Sequence, residues 1–125
     1  MELIGVIKEY NHELSDKRFH DYKTGFNYHD KEKILNYLKN GTPIAVTMHI
    51  VHSLIKDDNS IIGGVSYLTD GYWIWPSYLY FYVDTVSIEL PLDFLNSISK
   101  NKETKLISDA KIAEAINLLK LRKQK

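Results

Sequence analysis

Histidine is the residue type in this sequence best suited to binding a metal ion. His49 and His52 are three residues apart, a spacing that brings two rings together on a helix but points them to opposite faces of a strand. No His-Glu-x-x-His motif is present, and an isolated pair falls short of the three or four ligands that zinc requires. We therefore predict no metal site, and we expect His12, His20 and His29 to lie at the surface.

Phosphate binding and nucleophilic catalysis need motifs that this sequence does not contain. Gly63-Gly64 is followed neither by the Lys-Ser or Lys-Thr of a phosphate loop nor by the third glycine of a dinucleotide fingerprint. There is no Gly-x-Ser-x-Gly motif. The absence of cysteine excludes a thiol nucleophile, a thiolate zinc site and a disulfide framework. Asp57 and Asp58 are adjacent carboxylates, but such pairs in turns are usually solvated. We predict that the protein is not an enzyme and uses no cofactor.

Aromatic side chains are concentrated in one stretch of the chain. Eight of the fifteen aromatic residues lie within residues 67–82. On a strand, Trp73 and Trp75 point to one face, and we favour burial in the core for both. On the helix predicted to follow, the apolar stripe leaves Tyr78 and Tyr80 off the inner face, so they are candidates for a protein-binding surface. A base-stacking platform is a further interpretation, but it lacks an accompanying basic groove.

Charge is balanced over the chain but unevenly distributed along it. The 125 residues carry 16 basic and 16 acidic side chains, which argues against broad nucleic-acid binding. Residues 41–100 contain two basic and six acidic side chains, a net charge of −4. Residues 101–125 contain seven basic and three acidic side chains, a net charge of +4. One interpretation of this distribution is an acidic face that binds one basic partner. The other is an ordinary solvated surface, which needs charged side chains of either sign.

The pattern of apolar residues predicts a single α+β domain over residues 1–125. A short strand is expected over 2–7, and two more over 61–69 and 72–75. The β-branched residues of 44–51 favour a longer strand there, with a helix beginning at Pro43 as the alternative. Asp70-Gly71 is a strong hairpin signal between the last two. Residues 8–28 show no clear period and are predicted to be mostly loop. We expect a small antiparallel sheet with a β-hairpin near 61–75, packed by several helices.

Four helices are predicted from capping residues and apolar stripes. Asp30 is expected to cap the first helix, which runs to about Lys39 and is terminated by Gly41. Pro76 begins the second and Pro91 the third, and Ser108 caps a basic last helix over about 109–121. The expected inward residues are Leu79, Tyr82, Val83 and Val86 in the second helix, Leu92, Leu95 and Ile98 in the third, and Ile112, Ala115, Ile116 and Leu119 in the last.

One stretch carries a family resemblance. Residues 69–83 contain Asp-Gly-x-Trp-x-Trp followed by Leu-x-Phe-Tyr-Val, and residues 90–94 read Leu-Pro-x-x-Phe. This pattern resembles that of bacterial immunity proteins encoded beside polymorphic toxins, including contact-dependent growth inhibition systems, where Tyr-Tyr-Val stands in place of Phe-Tyr-Val. The resemblance covers about residues 30–98. The first 28 residues and the basic last helix match nothing in it.

The resemblance implies a non-catalytic cytoplasmic inhibitor that binds the C-terminal domain of one cognate toxin, often a nuclease. Many nuclease inhibitors are strongly acidic, whereas this chain is neutral overall. If it binds a basic toxin, we therefore expect the acidic residues of 41–100 to make the contact. We expect no direct contact with nucleic acid or a membrane, and residues 20–28 form a second candidate region. From charge and predicted exposure, the candidate partner-binding residues are Asp57, Asp58, Asp70, Tyr72, Tyr78, Tyr80 and Asp84.

Other functions are compatible with the same residues. The main alternative is a non-catalytic regulatory or scaffolding module for a different cytoplasmic protein. A less favoured one is a small enzyme acting on a nucleotide or a sugar, with the aromatic cluster as its pocket. The basic last helix leaves weak RNA contact as a further alternative. A cytoplasmic location is expected because the apolar run in residues 1–10 is too short for the core of a signal peptide.

Overall fold

A four-stranded sheet forms the centre of the molecule. The computed structural model describes residues 1–100 and 107–123, and its strands are β1 (Glu2–Leu3), β2 (Thr42–His52), β3 (Ile61–Thr69) and β4 (Trp73–Pro76). They are arranged in the order β1-β4-β3-β2, with β2, β3 and β4 antiparallel and β1 parallel to β4. The predicted α+β fold with a hairpin in 61–75 is confirmed, and the parallel β1 makes the sheet mixed.

The described residues form four α-helices: α1 (Lys31–Lys39), α2 (Tyr78–Val86), α3 (Leu92–Lys100) and α4 (Asp109–Lys123). Each corresponds to a predicted helix, but the prediction that Pro76 begins the second is wrong, because Pro76 pairs with Tyr67 as the last residue of β4 and α2 begins at Tyr78. The Ser108 hydroxyl accepts a hydrogen bond from Lys111 N at 3.3 Å as a cap. The prediction that Leu92 points inward is wrong, because α3 buries Phe94 and Ile98 and exposes Leu92. Within these residues no helix is both long and apolar enough to cross a bilayer.

The two tryptophans of β4 face α1 and α3. Trp75 is buried, and its indole Nε1 donates to the Leu38 carbonyl of α1 at 3.1 Å. Trp73 is half-buried, and its Nε1 donates to Ser97 Oγ of α3 at 3.1 Å. Both rings pack against Phe94, with centroids 5.7 and 5.5 Å away. Burial of these large rings joins the sheet to both helices, as the core interpretation predicted.

Position 41 requires glycine because a larger side chain would not fit there, and not because the end of α1 adopts a left-handed backbone conformation. The helix ends at Lys39, and Asn40 follows with φ −92°, outside the left-handed region. A Cβ atom on Gly41 would lie 2.5 Å from Trp75 Cζ2 and 2.9 Å from Leu68 Cβ. The chain therefore turns from α1 into β2 directly against the Trp75 ring, where only glycine fits.

The irregular segment near the N-terminus is part of the core. Between Ile4 and Leu14 the chain forms neither helix nor strand, so the strand predicted over 2–7 is wrong beyond Leu3, whereas the loop predicted from residue 8 is confirmed. The segment nevertheless buries five side chains. These are Ile4, Val6, Ile7, Asn11 and Leu14. A short 3-10 turn, Phe19–Asp21, follows. One connected core cluster includes this segment, the sheet and all four helices.

Candidate partner-binding surface

The β3–β4 turn is built around Asp70. Its Oδ1 accepts hydrogen bonds from Tyr72 N at 2.9 Å and Trp73 N at 2.7 Å, and its Oδ2 accepts one from the Tyr37 hydroxyl. Gly71 adopts φ +95°, which the turn requires and glycine tolerates. This half-buried carboxylate, one of the predicted partner-binding residues, is thus engaged in holding the turn together.

Tyr72 stands exposed at the tip of that turn beside a shallow groove. Its side chain is 61% exposed, and Lys111 Nζ of α4 lies 5.7 Å from its ring centroid. The groove has a volume of about 410 Å³ and lies between β1, the turn and α3. We call it the hairpin groove. Its lining residues are Met1, Glu2, Tyr72, Trp73, Asp93, Ser97 and Lys100.

The hairpin groove combines aromatic surface with charge. Glu2 and Asp93 contribute two exposed carboxylates, and Lys100 contributes one ammonium group. Carboxylates beside an exposed tyrosine ring suit a lysine or arginine side chain, and Lys111 of the chain itself already lies over one face of the Tyr72 ring. The half-buried edge of Trp73 adds apolar contact area. Glu2 and Asp93 were not among the predicted residues, because the pairing of β1 with β4 and the packing of α3 against Trp73 bring them beside Tyr72.

Asp57 and Asp58 lie at the opposite end of β3, in the β2–β3 turn. Asp57 has φ +63° and is exposed. Asp58 Oδ1 accepts hydrogen bonds from the Ser60 hydroxyl at 2.5 Å and from Ser60 N at 3.0 Å, and these bonds lower the pKa of the Asp58 carboxyl. Since a strand rises about 3.3 Å per residue, β3 separates this turn from Asp70 by roughly 25 Å. The predicted acidic residues therefore form separate groups.

The α2 candidates divide between core and surface. The prediction that Tyr78 lies off the inner face is wrong, because its side chain is almost completely buried. Tyr80 is exposed, and Asp84 is exposed one turn later. Lys31 Nζ donates to the Asp84 carbonyl and to Ser87 Oγ, both at 3.0 Å, and so satisfies the C-terminal end of the helix.

Tyr78 belongs to a cluster of tyrosines that binds the N-terminal segment to α2. Its hydroxyl accepts a hydrogen bond from Ile7 N at 3.0 Å and donates to Asn11 Oδ1 at 2.8 Å. Tyr10 and Tyr82 bring their hydroxyls within 2.5 Å of each other. We refer to Tyr10, Tyr78 and Tyr82 as the tyrosine cluster. Since a buried tyrosinate is poorly solvated, burial raises the pKa of all three phenols.

The tyrosine cluster also holds the β2–β3 connection in place. The Tyr10 hydroxyl donates to the His52 carbonyl, so the bond between the two phenols runs from Tyr82 to Tyr10. The Tyr82 hydroxyl in turn accepts from Leu54 N at 3.0 Å. Residues 8–28 show no period in the sequence, so only these long-range contacts reveal that Tyr10 and Asn11 are structural.

The second candidate region, residues 20–28, borders a different cleft. This cleft has a volume of about 430 Å³ and is lined by the N-terminal segment, Lys17, Tyr22 and Glu89, among others. Lys17 Nζ is 3.1 Å from the Glu89 carboxylate and 4.2 Å from the Tyr22 ring centroid. A hydrogen bond from Lys23 N also reaches Glu89 and is the main cause of its lowered carboxyl pKa. Lys17 and Glu89 in this cleft are therefore paired with each other.

The histidines occupy the surface. His12, His20 and His29 are exposed, as predicted, and His49 and His52 are exposed on β2. In residues 1–100 and 107–123, no group of three or more His, Asp or Glu side chains is placed to hold a metal ion.

Comparisons with known proteins found no relative of this chain. The chain matched no model of a protein family, no curated protein and no solved structure.

Proposed function

We propose that this protein is a cytoplasmic immunity protein that binds and neutralises the C-terminal domain of a cognate bacterial toxin, without catalysing a reaction. The family resemblance of residues 30–98 motivates the proposal. The observation that carries it is the hairpin groove, where exposed Tyr72 lies beside the carboxylates of Glu2 and Asp93.

The chemistry of the groove supports a basic protein partner. Tyrosine and tryptophan are favoured anchors of protein interfaces, because they bury a large rigid area with little loss of conformational freedom. Tyr72 is already held at the turn tip by its backbone bond to Asp70, so binding needs little reordering of the loop. The neighbouring carboxylates attract a positively charged surface and speed its association. Toxin domains that act on nucleic acid carry such surfaces.

The test is a calorimetric titration of the purified chain with the toxin domain encoded beside its gene. We expect a dissociation constant below about 1 μM, on a scale where that corresponds to about −8 kcal/mol. Weaker binding, or a gene neighbourhood without a toxin, would overturn the proposal and favour a regulatory or scaffolding module.

Paired variants locate the surface. Tyr72→Ala and Asp93→Asn remove the aromatic ring and one carboxylate of the hairpin groove, and each should weaken binding by about tenfold or more. Tyr80→Ala is the matched control, because Tyr80 is also an exposed tyrosine but lies on α2. A larger loss of affinity with Tyr80→Ala would place the interface on α2 instead.

A further inference from the structure

One asparagine of this sequence, Asn40, is directly followed by glycine. The pair Asn40-Gly41 joins α1 to β2, and we call it the α1–β2 turn. An asparagine before a glycine is the dipeptide most prone to deamidation, because no side chain shields the glycine nitrogen and glycine leaves the backbone free to bend. The Asn40 side chain is exposed, so its amide is in contact with water. Its neighbour and its exposure therefore make Asn40 a candidate site of covalent modification.

Deamidation at this position would proceed through a cyclic imide. The Gly41 backbone nitrogen gives up its proton and attacks Asn40 Cγ, so that an N–Cγ bond forms. The bond between Cγ and Nδ2 breaks, and the amide group leaves as ammonia with that proton. Water then opens the ring at one of its two carbonyls. The product is aspartate, or isoaspartate with the backbone running through Cβ and Cγ, and water is the only other reactant.

The folded backbone holds the two reacting atoms apart. Asn40 adopts φ −92° and ψ 8°. Ring closure needs a ψ of about −120°, at which the tetrahedral geometry of Cα places the Gly41 nitrogen on the same side as the Asn40 Cβ. The peptide group between the two residues must therefore rotate by roughly 130° before the nitrogen can reach Cγ.

Contacts on both sides of the α1–β2 turn oppose that rotation. Gly41 lies so close to Trp75 that a Cβ atom built on it would be 2.5 Å from Cζ2 of the ring. On the helix side, the Leu38 carbonyl accepts a hydrogen bond from Trp75 Nε1 at 3.1 Å. On the strand side, Thr42 is paired with β3. The peptide can rotate only if the end of α1 or the start of β2 first moves away from its neighbours.

We propose that Asn40 is a deamidation site whose reaction is gated by opening of the α1–β2 turn. The closed turn keeps Asn40 unreactive, and the reaction proceeds during transient local openings. Isoaspartate lengthens the backbone where Gly41 has no spare room beside Trp75, and aspartate adds a negative charge at the C-terminal end of α1, which disfavours anions. Both products therefore destabilise the closed turn, and the modified fraction accumulates with each opening.

Incubation of the full chain at about pH 8, in buffer and in a denaturing concentration of urea, tests the gating independently of toxin binding. Peptide mapping by mass spectrometry measures the conversion of Asn40, and an isoaspartate methyltransferase assay identifies the product. We expect the conversion to be at least about tenfold slower in the folded chain, because the reaction there depends on a rare opening.

Two leucine truncations distinguish opening of the turn from unfolding of the whole chain. Leu38→Ala removes a buried side chain at the end of α1 and should accelerate conversion of Asn40 in the folded chain by about threefold or more. Leu14→Ala is the matched control, because Leu14 is also buried but lies in the N-terminal segment, and it should change the rate by less than about twofold. Asn59, in the β2–β3 turn, serves as an internal reference whose conversion Leu38→Ala should leave unchanged.

Three outcomes would overturn the proposal. They are an Asn40 that stays unmodified in the unfolded chain, equal rates of conversion in the folded and unfolded chain, and equal acceleration by Leu38→Ala and Leu14→Ala. Circular dichroism verifies that each variant is folded. If Leu38→Ala unfolds the chain, Trp75→Phe replaces it, because phenylalanine retains an aromatic ring but removes the hydrogen bond to the Leu38 carbonyl.

Discussion

The tyrosine cluster and the hairpin groove use the same kinds of side chain for different purposes. In the cluster, the hydroxyls of Tyr78 and Tyr82 are hydrogen-bonded and their rings are buried under the N-terminal segment. In the groove, the Tyr72 ring is 61% exposed, with Lys111 Nζ 5.7 Å from its centroid. The N-terminal segment makes the difference, since its residues from Ile4 onward cover the cluster while Glu2 only borders the groove. Aromatic density alone therefore does not identify a binding surface.

The largest expected effect is the difference in stability between a variant of the tyrosine cluster and a variant of the hairpin groove. Tyr78→Ala leaves a large cavity and removes the partner of Ile7 N and Asn11, so it should lower the free energy of unfolding by about 3–5 kcal/mol. Tyr72→Ala should change it by less than about 0.5 kcal/mol, because the ring is exposed. Urea unfolding followed by circular dichroism measures both. Equal losses for the two variants would contradict the distinction between a structural and an open aromatic region.

An intermediate effect is expected where α1 meets β4, behind the groove. Gly41→Ala would force a methyl group against Trp75 and Leu68, and such overpacking costs about 1–3 kcal/mol of stability. Gly64→Ala is the matched control on the neighbouring β3, since the methyl group it adds makes only an ordinary contact, 3.9 Å from the His49 carbonyl oxygen. The same unfolding experiment should show a change within about 0.5 kcal/mol for the control. Comparable losses would mean that the approach to Trp75 is not what requires glycine.

The smallest effect concerns alkaline pH. Burial raises the pKa of Tyr22 from 10.0 to about 12, and burial also raises the pKa values of the tyrosine cluster. The unfolded chain therefore loses phenolic protons first, so stability is fully present below pH 10 and falls as the pH rises through 10 towards 12. Urea midpoints at pH 8 to 11.5 measure this decline.

A phenylalanine variant measures how much the Tyr22 hydroxyl contributes to the fall in stability at alkaline pH. Tyr22→Phe removes the titrating group together with its hydrogen bond to the Val6 carbonyl, at 2.8 Å in the native protein. We expect lower stability at pH 8 but a shallower fall above pH 10. An unchanged slope would show that Tyr22 is not among the phenols responsible.

Local signals predicted much of the fold. Asp70-Gly71 marked the hairpin because both residue types favour the turn, and Ser108 marked the start of α4 because its hydroxyl caps it. Leu92 was assigned inward because it follows Pro91 in an apolar run. Leu92 instead faces solvent at the start of α3, and Phe94, two residues later, packs against both Trp73 and Trp75. Tertiary packing, which no local pattern contains, decided that orientation.

The candidate surface was predicted only in part. Tyr72 is exposed as expected, because a turn tip has few neighbours. Tyr78 was expected at the surface because the apolar stripe of α2 omits it, yet the segment from Ile7 to Asn11 covers it from above. Glu2 became a candidate only once parallel pairing placed β1 next to β4, and Asp93 only once α3 packed against Trp73. The misassigned and missed residues thus depend on contacts between distant parts of the chain.

The tyrosine cluster also sets an order of events during synthesis. Ile7 bonds a residue 71 positions later, and Asn11 bonds one 67 positions later. While a ribosome makes the chain from its N-terminus, the first segment emerges long before α2 exists to receive it. The segment must therefore remain unattached until α2 has been translated, and docking it closes a long loop.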